Sequence, residues 1–129
     1  MHRIVIADDE VYIRVLLEQT LERLEDAGVE LVLATNGQEA WELAQSCQPD
    51  LVILDVSMPY MSGYEVCQRI KNTPHLSDTY VIILTARGQE SDRIRSMEVK
   101  ADEYITKPFH PAHLVARVAE ILGLEGRIR

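Results

Sequence analysis

Acidic, hydroxyl and amino side chains stand directly after four of the five short apolar runs in this sequence. Asp8 and Asp9 follow the first run, Asp55 the third, Thr85 the fourth and Lys107 the fifth. Carboxylates that converge on one crevice repel each other, so the cluster must take up protons or bind a cation. Oxygen ligands suit Mg²⁺, which proteins commonly hold with one or two carboxylates plus phosphate. A lysine and a threonine hydroxyl beside them would suit the remaining oxygens of a phosphoryl group.

Each of these residues has a simpler explanation when it is taken alone. Asp9 could cap a helix, Thr85 could close a strand, and Lys107 could be a solvated loop charge. The second apolar run ends in "TNG" at residues 35–37 and offers no such side chain. The common position of the other candidates favours one shared site over unrelated features.

The apolar runs predict the strands of a parallel sheet. The first four are continuous rather than alternating, which is typical of strands that are covered on both faces. The runs span residues 3–7, 30–34, 51–54, 80–84 and 103–106.

Segments with helical spacing separate the runs and predict one helix after each strand. The segment at 88–99 has the thinnest apolar stripe, anchored by Ile94 and Met97. It is therefore expected to be either the helix that shifts most easily or an ordinary polar surface helix. Gly28 is predicted to stop the first helix. The predicted apolar faces are Ile13, Leu16, Leu17, Thr20 and Leu24; Ala40, Leu43, Ala44 and Cys47; Gly63, Val66, Cys67 and Ile70; and Leu114, Val118, Ile121 and Leu122.

Five repeats of strand and helix predict an α/β fold, a flavodoxin-like, doubly wound, five-stranded parallel sheet with helices on both faces. In the strand order 2-1-3-4-5, ligands bind outside the carboxyl ends of the strands, at the switch point between strands 1 and 3. Strand 2 then lies at an edge, away from the cleft, which agrees with its lack of a candidate side chain.

Length and composition restrict the class of protein. The 129 residues, 47% of them hydrophobic, fit one globular domain. A net charge of -8 disfavours direct binding to nucleic acid and to anionic membranes. No apolar run approaches the roughly 18 residues of a membrane span, so a cytoplasmic protein is expected. Cys47 and Cys67 are predicted to be buried free thiols, and the four histidines lack the spacing of a zinc site.

Four segments together resemble the receiver domains of bacterial two-component response regulators, of the chemotaxis-regulator type. They are "ADDE" at 7–10, "LDVSMPYMSG" at 54–63, "LTA" at 84–86 and "ADEYITKPF" at 101–109. Their order and spacing match, and the resemblance covers nearly the whole chain. The receiver domain is expected to span residues 1–123, with 124–129 as a C-terminal tail or the stump of a linker.

The resemblance implies a phosphorylation site that depends on Mg²⁺. Asp55 would be the phosphoacceptor. Asp9 and Asp55 would ligate Mg²⁺ directly together with the backbone carbonyl of Ser57, while Asp8 would act largely through a bound water. Mg²⁺ and a neighbouring lysine would neutralise the charge of the phosphoryl oxygens.

The resemblance also implies a switch. Thr85 and Lys107 would hold phosphoryl oxygens, and movement of Thr85 would vacate space for the ring of Tyr104. The peptide bond between Lys107 and Pro108 is expected to be cis, as it is in the family.

The implied partners are proteins. A sensor histidine kinase or a histidine phosphotransfer protein would donate the phosphoryl group, so the chain would be a phosphoacceptor signalling domain that catalyses only its own phosphorylation and dephosphorylation. The surface formed by the fourth helix, fifth strand and last helix would change shape and bind a downstream effector. Nucleic acid and membranes are not expected partners of this domain.

Three positions differ from the family pattern or tune it. Lys100 stands where the family usually has glycine, at a cost of about 1 kcal/mol if the backbone there is left-handed. Ser57 and Arg87 flank the entry to the site, and the resemblance implies that these positions set the lifetime of the phosphoryl group. Arg87 is predicted to contact or shield that group and to slow its hydrolysis.

Three alternatives compete with this interpretation. The chain could be a docking module regulated without phosphorylation. The presence of all five central residues of the site argues against this alternative; they are Asp8, Asp9, Asp55, Thr85 and Lys107. A haloacid-dehalogenase-type phosphatase would have a second aspartate where this chain has Ser57. The chain could also be the receiver of a longer regulator with an output domain.

Overall fold

The computed structural model describes residues 2–86 and 90–127, in which strands and helices alternate. The strands are β1 (His2–Ala7), β2 (Val29–Ala34), β3 (Leu51–Asp55), β4 (Tyr80–Ala86) and β5 (Glu103–Lys107). The helices are α1 (Val11–Leu21), α2 (Gly37–Cys47), α3 (Gly63–Lys71), α4 (Glu90–Glu98) and α5 (Pro111–Leu122). Within these residues, no helix is both long enough and apolar enough to cross a membrane.

All strand pairs are parallel, and the sheet has the order β2-β1-β3-β4-β5. The predicted doubly wound fold, including the edge position of β2, is therefore confirmed. The continuous apolar runs are explained by their burial, because side chains on both faces of β1, β3 and β4 are covered.

Two hydrophobic layers hold the helices on the sheet. One layer joins alternate strand residues, such as Ile6 and Ile53, to α1 and α5. The other joins the intervening residues, such as Val5 and Val52, to α2 and α3. This alternation follows from the two-residue period of a strand. It also determines on which face of the sheet each residue at a strand end lies.

The first predicted helix changes geometry before its end. Helix α1 ends at Leu21, and a 3₁₀ segment, Glu22–Ala27, carries the chain on to Gly28. Gly28 has φ 90, a left-handed backbone that glycine adopts without strain, so the predicted stop is confirmed.

Helix α4 faces the sheet differently from the prediction. Residues 88 and 89 of the predicted segment lie outside the described part of the chain. The predicted anchors Ile94 and Met97 are 48% and 64% exposed, so that assignment is wrong, and Ser96 and Val99 are buried instead. The turn after the helix places Val99 against the sheet, and Ser96 lies on the same side one turn earlier.

Both cysteines are free thiols, as predicted, but they differ in burial. Cys67 is buried, whereas Cys47 is only half-buried. Burial raises the pKa of the Cys67 thiol to about 12, so this side chain acts as a small apolar group at neutral pH.

Lys100 has φ 64, which confirms that the turn between α4 and β5 uses a left-handed residue. We expect Lys100→Gly to raise the free energy of unfolding by about 1 kcal/mol, because glycine adopts this conformation without strain. Urea unfolding measures the change. Glu98→Gly, within the helix, is the control and should lower stability by a similar amount, about 1 kcal/mol. No gain for Lys100→Gly would show that its backbone strain is relieved elsewhere.

Candidate functional site

The alternation of the strands brings three candidate residues to one side of the sheet. Asp8, which follows β1, and Asp55, at the end of β3, lie on the face of the sheet that α1 and α5 cover. Lys107, at the end of β5, lies on the same face. Because β1, β3, β4 and β5 are parallel neighbours, their carboxyl ends lie at the same edge. This edge of the sheet therefore brings Asp8, Asp55 and Lys107 together.

Lys107 bridges the two buried carboxylates. Its Nζ lies 2.6 Å from Oδ1 of Asp55 and 3.5 Å from Oδ2 of Asp8. Asp55 is 5% exposed and Asp8 is fully buried. Lysine therefore supplies positive charge where two carboxylates would otherwise repel each other.

The position of Asp8 is set by local hydrogen bonds. The backbone N–H of Glu10 donates to Oδ1 of Asp8 at 2.9 Å. Arg14, on the second turn of α1, donates through Nη1 to the backbone oxygen of Asp8 at 2.6 Å. These bonds fix the start of α1 against the end of β1.

Burial governs the ionisation of this cluster. Loss of solvent raises the pKa of Asp8 to about 6, against the hydrogen bond from Glu10 and with a contribution from the negative charge of Asp55. Burial also raises the pKa of Asp55, although Lys107 opposes the effect. For Lys107, burial alone would lower the pKa, but the hydrogen bond and charge of Asp55 outweigh it and raise the pKa.

A group of three acidic residues lies beside this cluster. Asp8, Asp9 and Glu10 can each bring one carboxylate oxygen within 4.8 Å of the other two. An all-oxygen set of this kind fits a hard cation such as Mg²⁺. Glu10 was not among the predicted ligands, and its position directly after two aspartates is the sequence signal that could have identified it.

The site opens into a cleft of about 690 Å³. Asp9, Asp55, Ser57 and Lys107 are among the residues that line it. Apolar side chains from α1 and the segment after β5 form another part of its wall, namely Ile13, Leu16, Pro108 and Phe109. A charged floor is therefore accessible beside an apolar surface.

The other predicted site residues lie at distinct places. Thr85 is buried at the end of β4, one position after Leu84, the strand partner of Asp55. Tyr104, on β5, is 38% exposed. The peptide bond between Lys107 and Pro108 is cis, as predicted. Arg87 lies outside the described residues.

Gly63 allows α3 to begin close to the site. Its backbone N–H donates to the carbonyl oxygen of Val56 at 3.0 Å. A Cβ at this position would overlap the carbonyl oxygen of Asp55. Only glycine lets the helix pass the strand end this closely, and the sequence pattern alone does not predict this requirement.

Comparisons with known proteins agree with this geometry. The model of the response regulator receiver domain matches residues 4–119. The ycf27 protein of Cyanophora paradoxa is 44% identical over 120 residues, which are 93% of this chain and 48% of that protein. The phosphate regulon transcriptional regulatory protein PhoB of Pseudomonas aeruginosa is 42% identical over 123 residues, which are 95% of this chain and 52% of PhoB.

A solved structure is similar over the whole chain. The signal receiver domain of a signal transduction histidine kinase from Syntrophus aciditrophicus is 34% identical, with a TM-score of 0.84, and the match covers 100% of this chain and 96% of that one. The chain spans about half the length of the curated relatives named above. Because the family match covers most of the chain and the fold agrees, the chain belongs to the response regulator receiver domain family of two-component signalling.

Proposed function

We propose that this chain accepts a phosphoryl group on Asp55 from a sensor histidine kinase or a histidine phosphotransfer protein. The observation that carries the proposal is the 2.6 Å contact between Lys107 Nζ and Asp55 Oδ1 at the floor of an open cleft. An Asp55 oxygen would attack phosphorus while the bond from phosphorus to the donor imidazole nitrogen breaks. The nitrogen would keep the bonding electron pair, and the product would be an acyl phosphate.

The acidic group supports a role for Mg²⁺ in this reaction. We propose that Asp9, Asp55 and the backbone carbonyl of Ser57 hold the ion directly and that Asp8 acts through a bound water. When bound, the ion would neutralise negative charge on the phosphoryl oxygens. Glu10, which lies in the same acidic group, is a further candidate ligand.

Three residues are proposed to convert phosphorylation into a change of surface. Thr85 and Lys107 would hold phosphoryl oxygens, and the ring of Tyr104 would follow the movement of Thr85. The effector surface would comprise α4, β5 and α5. Exposure of Ile94, Met97 and Tyr104 supports this assignment, because these side chains provide apolar contact area there.

The domain is proposed to act as a component of a signalling pathway rather than as an enzyme with a separate substrate. We place the receiver domain at residues 1–123 and a tail or linker at 124–129. Leu124, the first residue of this segment, still packs in the core, so only the residues after it could serve as a linker. An output domain would account for the greater length of the relatives. The net charge of -8 argues against direct nucleic acid binding by this domain, and signalling is proposed to occur in the cytoplasm.

Ser57 and Arg87 are proposed to tune the lifetime of the phosphoryl group by controlling access of water. Ser57 lines the cleft and is exposed. A docking module that works without phosphorylation is the second candidate. Incubation with a phosphoryl donor separates the two candidates, because only the first predicts a gain of phosphoryl mass.

The test is intact-mass spectrometry after incubation with acetyl phosphate, with and without Mg²⁺. We expect a Mg²⁺-dependent gain of one phosphoryl mass that is absent in Asp55→Asn. A protein that carries a phosphoryl group on a histidine side chain is then supplied as the donor under the same conditions. If neither donor modifies the wild-type protein, the docking module is favoured and phosphorylation of Asp55 is rejected.

A further inference from the structure

Helix α4 is held by few buried side chains. Within residues 91–99, Ser96 and Val99 are the buried ones, at 2% and 3% exposure. The Ser96 hydroxyl lies beside that of Tyr64 but does not reach hydrogen-bond geometry with any described residue. A buried polar atom without a hydrogen-bond partner costs free energy, so it does not help to hold the helix in place. Among these residues, the apolar contribution to holding the helix therefore comes mainly from Val99.

A polar contact secures the first turns of α4. The hydroxyl of Tyr64, on α3, donates to Oδ1 of Asp92 at 2.6 Å and lies 3.3 Å from the backbone oxygen of the same residue. Arg95, one turn later, lies 5.8 Å from the centre of the Tyr64 ring. Burial and then the contact with Asp92 raise the pKa of the Tyr64 hydroxyl, so it remains a donor at neutral pH.

Asp92 also lines the cleft that contains Asp55 and Lys107. Asp92 and Asp55 therefore line the same cleft, where a change of charge at one residue can act on the other. A phosphoryl group would replace the single negative charge of Asp55 with a charge of about -2 near neutral pH. If Mg²⁺ is bound before and after transfer, its charge does not alter this difference. The added charge would repel a carboxylate at Asp92 across the cleft.

We propose that Tyr64 and Asp92 form a charge-sensitive latch, which holds α4 in the unphosphorylated protein and opens when negative charge increases at Asp55. Both are positioning residues that act through the helix. The opening response rests on the proposed phosphorylation of Asp55, whereas the hydrogen bond that holds α4 does not. The latch is separate from the roles proposed for Thr85 and Tyr104, and it connects the cleft to the helix that carries Ile94 and Met97.

The holding function is tested without phosphorylation, by amide hydrogen exchange measured with mass spectrometry. Tyr64→Phe is expected to speed exchange in α4 roughly tenfold, the effect of losing one hydrogen bond to a charged acceptor. Tyr80→Phe is the matched control, because it also removes a hydrogen-bonded tyrosine hydroxyl. The partners of that hydroxyl, Glu103 and Arg117, each at 2.9 Å, lie on β5 and α5 rather than on α4. Tyr80→Phe should leave exchange in α4 unchanged. Exchange in Tyr64→Phe equal to that of wild type would overturn the latch.

The charge response is tested with acetyl phosphate and Mg²⁺, with intact mass recorded on the same samples. Phosphorylation is expected to speed exchange in wild-type α4 about fivefold, since one added charge across a solvated cleft interacts weakly. Asp92→Asn keeps an oxygen acceptor for Tyr64 but removes the charge, so its α4 should not respond when it is phosphorylated. An equal response in Asp92→Asn, or none in phosphorylated wild type, would contradict charge sensing. Failure to gain phosphoryl mass would instead reject the proposed function, and Tyr64→Phe would still decide the holding role.

Discussion

Replacing Asp8 with asparagine is expected to stabilise the folded protein by about 2 to 3 kcal/mol at pH 7 without divalent cations, because a buried charge is removed. Asp8 is fully buried, and this burial raises the pKa of its carboxyl to about 6. The hydrogen bond from the N–H of Glu10 can be retained by the asparagine oxygen. The charge of Asp8 is therefore unfavourable for stability and consistent with a role in binding a cation.

The pH dependence has a definite sign. The pKa of Asp8 is higher in the folded protein, at about 6, than its ordinary value of 3.8. Between these values the folded protein binds more protons than the unfolded chain, so this group's contribution to stability falls as pH rises. The difference between Asp8→Asn and wild type should thus be small near pH 4 and reach its full size above pH 6.

Urea unfolding at a series of pH values measures this difference. Asp78→Asn, at an exposed loop position, is the control and should show no such pH dependence. Added Mg²⁺ should stabilise wild type more than Asp8→Asn and narrow the gap between them. A gap that does not change with pH, or a variant less stable than wild type at pH 7, would contradict this account of Asp8.

Replacing Lys107 with methionine is expected to slow phosphorylation of Asp55 by about 100- to 1000-fold, the usual effect of removing one fixed donor to developing negative charge. The ammonium group lies 2.6 Å from the Asp55 oxygen that would attack. It can therefore also reach an oxygen of the incoming phosphoryl group. Methionine keeps most of the side-chain length but supplies no charge and no donor.

The rate is measured from the time course of phosphoryl mass gain at saturating Mg²⁺. Lys100→Met makes the same change of charge at the opposite end of β5, in the turn that precedes the strand, and should react at the wild-type rate. Lys107→Arg should recover only part of the rate, because the guanidinium has a different shape and reach. Urea unfolding confirms that each variant is folded under the assay conditions. A wild-type rate for Lys107→Met would exclude a direct role for the ammonium group.

The type of fold and the location of the site follow from the sequence alone. Continuous apolar runs such as residues 51–54 can be buried on both faces only inside a covered parallel sheet, and the order of strands and helices then leaves few topologies. Residues such as Asp8, Asp55 and Lys107 follow these runs, so parallel strands had to bring them to one edge. This part could be predicted because it depends only on periodicity and chain order.

Which groups are in contact, and how the short polar helix α4 is oriented, depend on the tertiary structure. The 2.6 Å contact of Lys107 with Asp55 depends on packing across three neighbouring strands, which local sequence patterns do not encode. The orientation of α4 was predicted wrongly from Ile94 and Met97, because two apolar residues give too little burial free energy to fix the rotation of a helix. In the structure, Val99 packs into the core with residues of α2 and α3, and the hydroxyl of Tyr64 bonds to Asp92. Both contacts join residues that are distant in sequence.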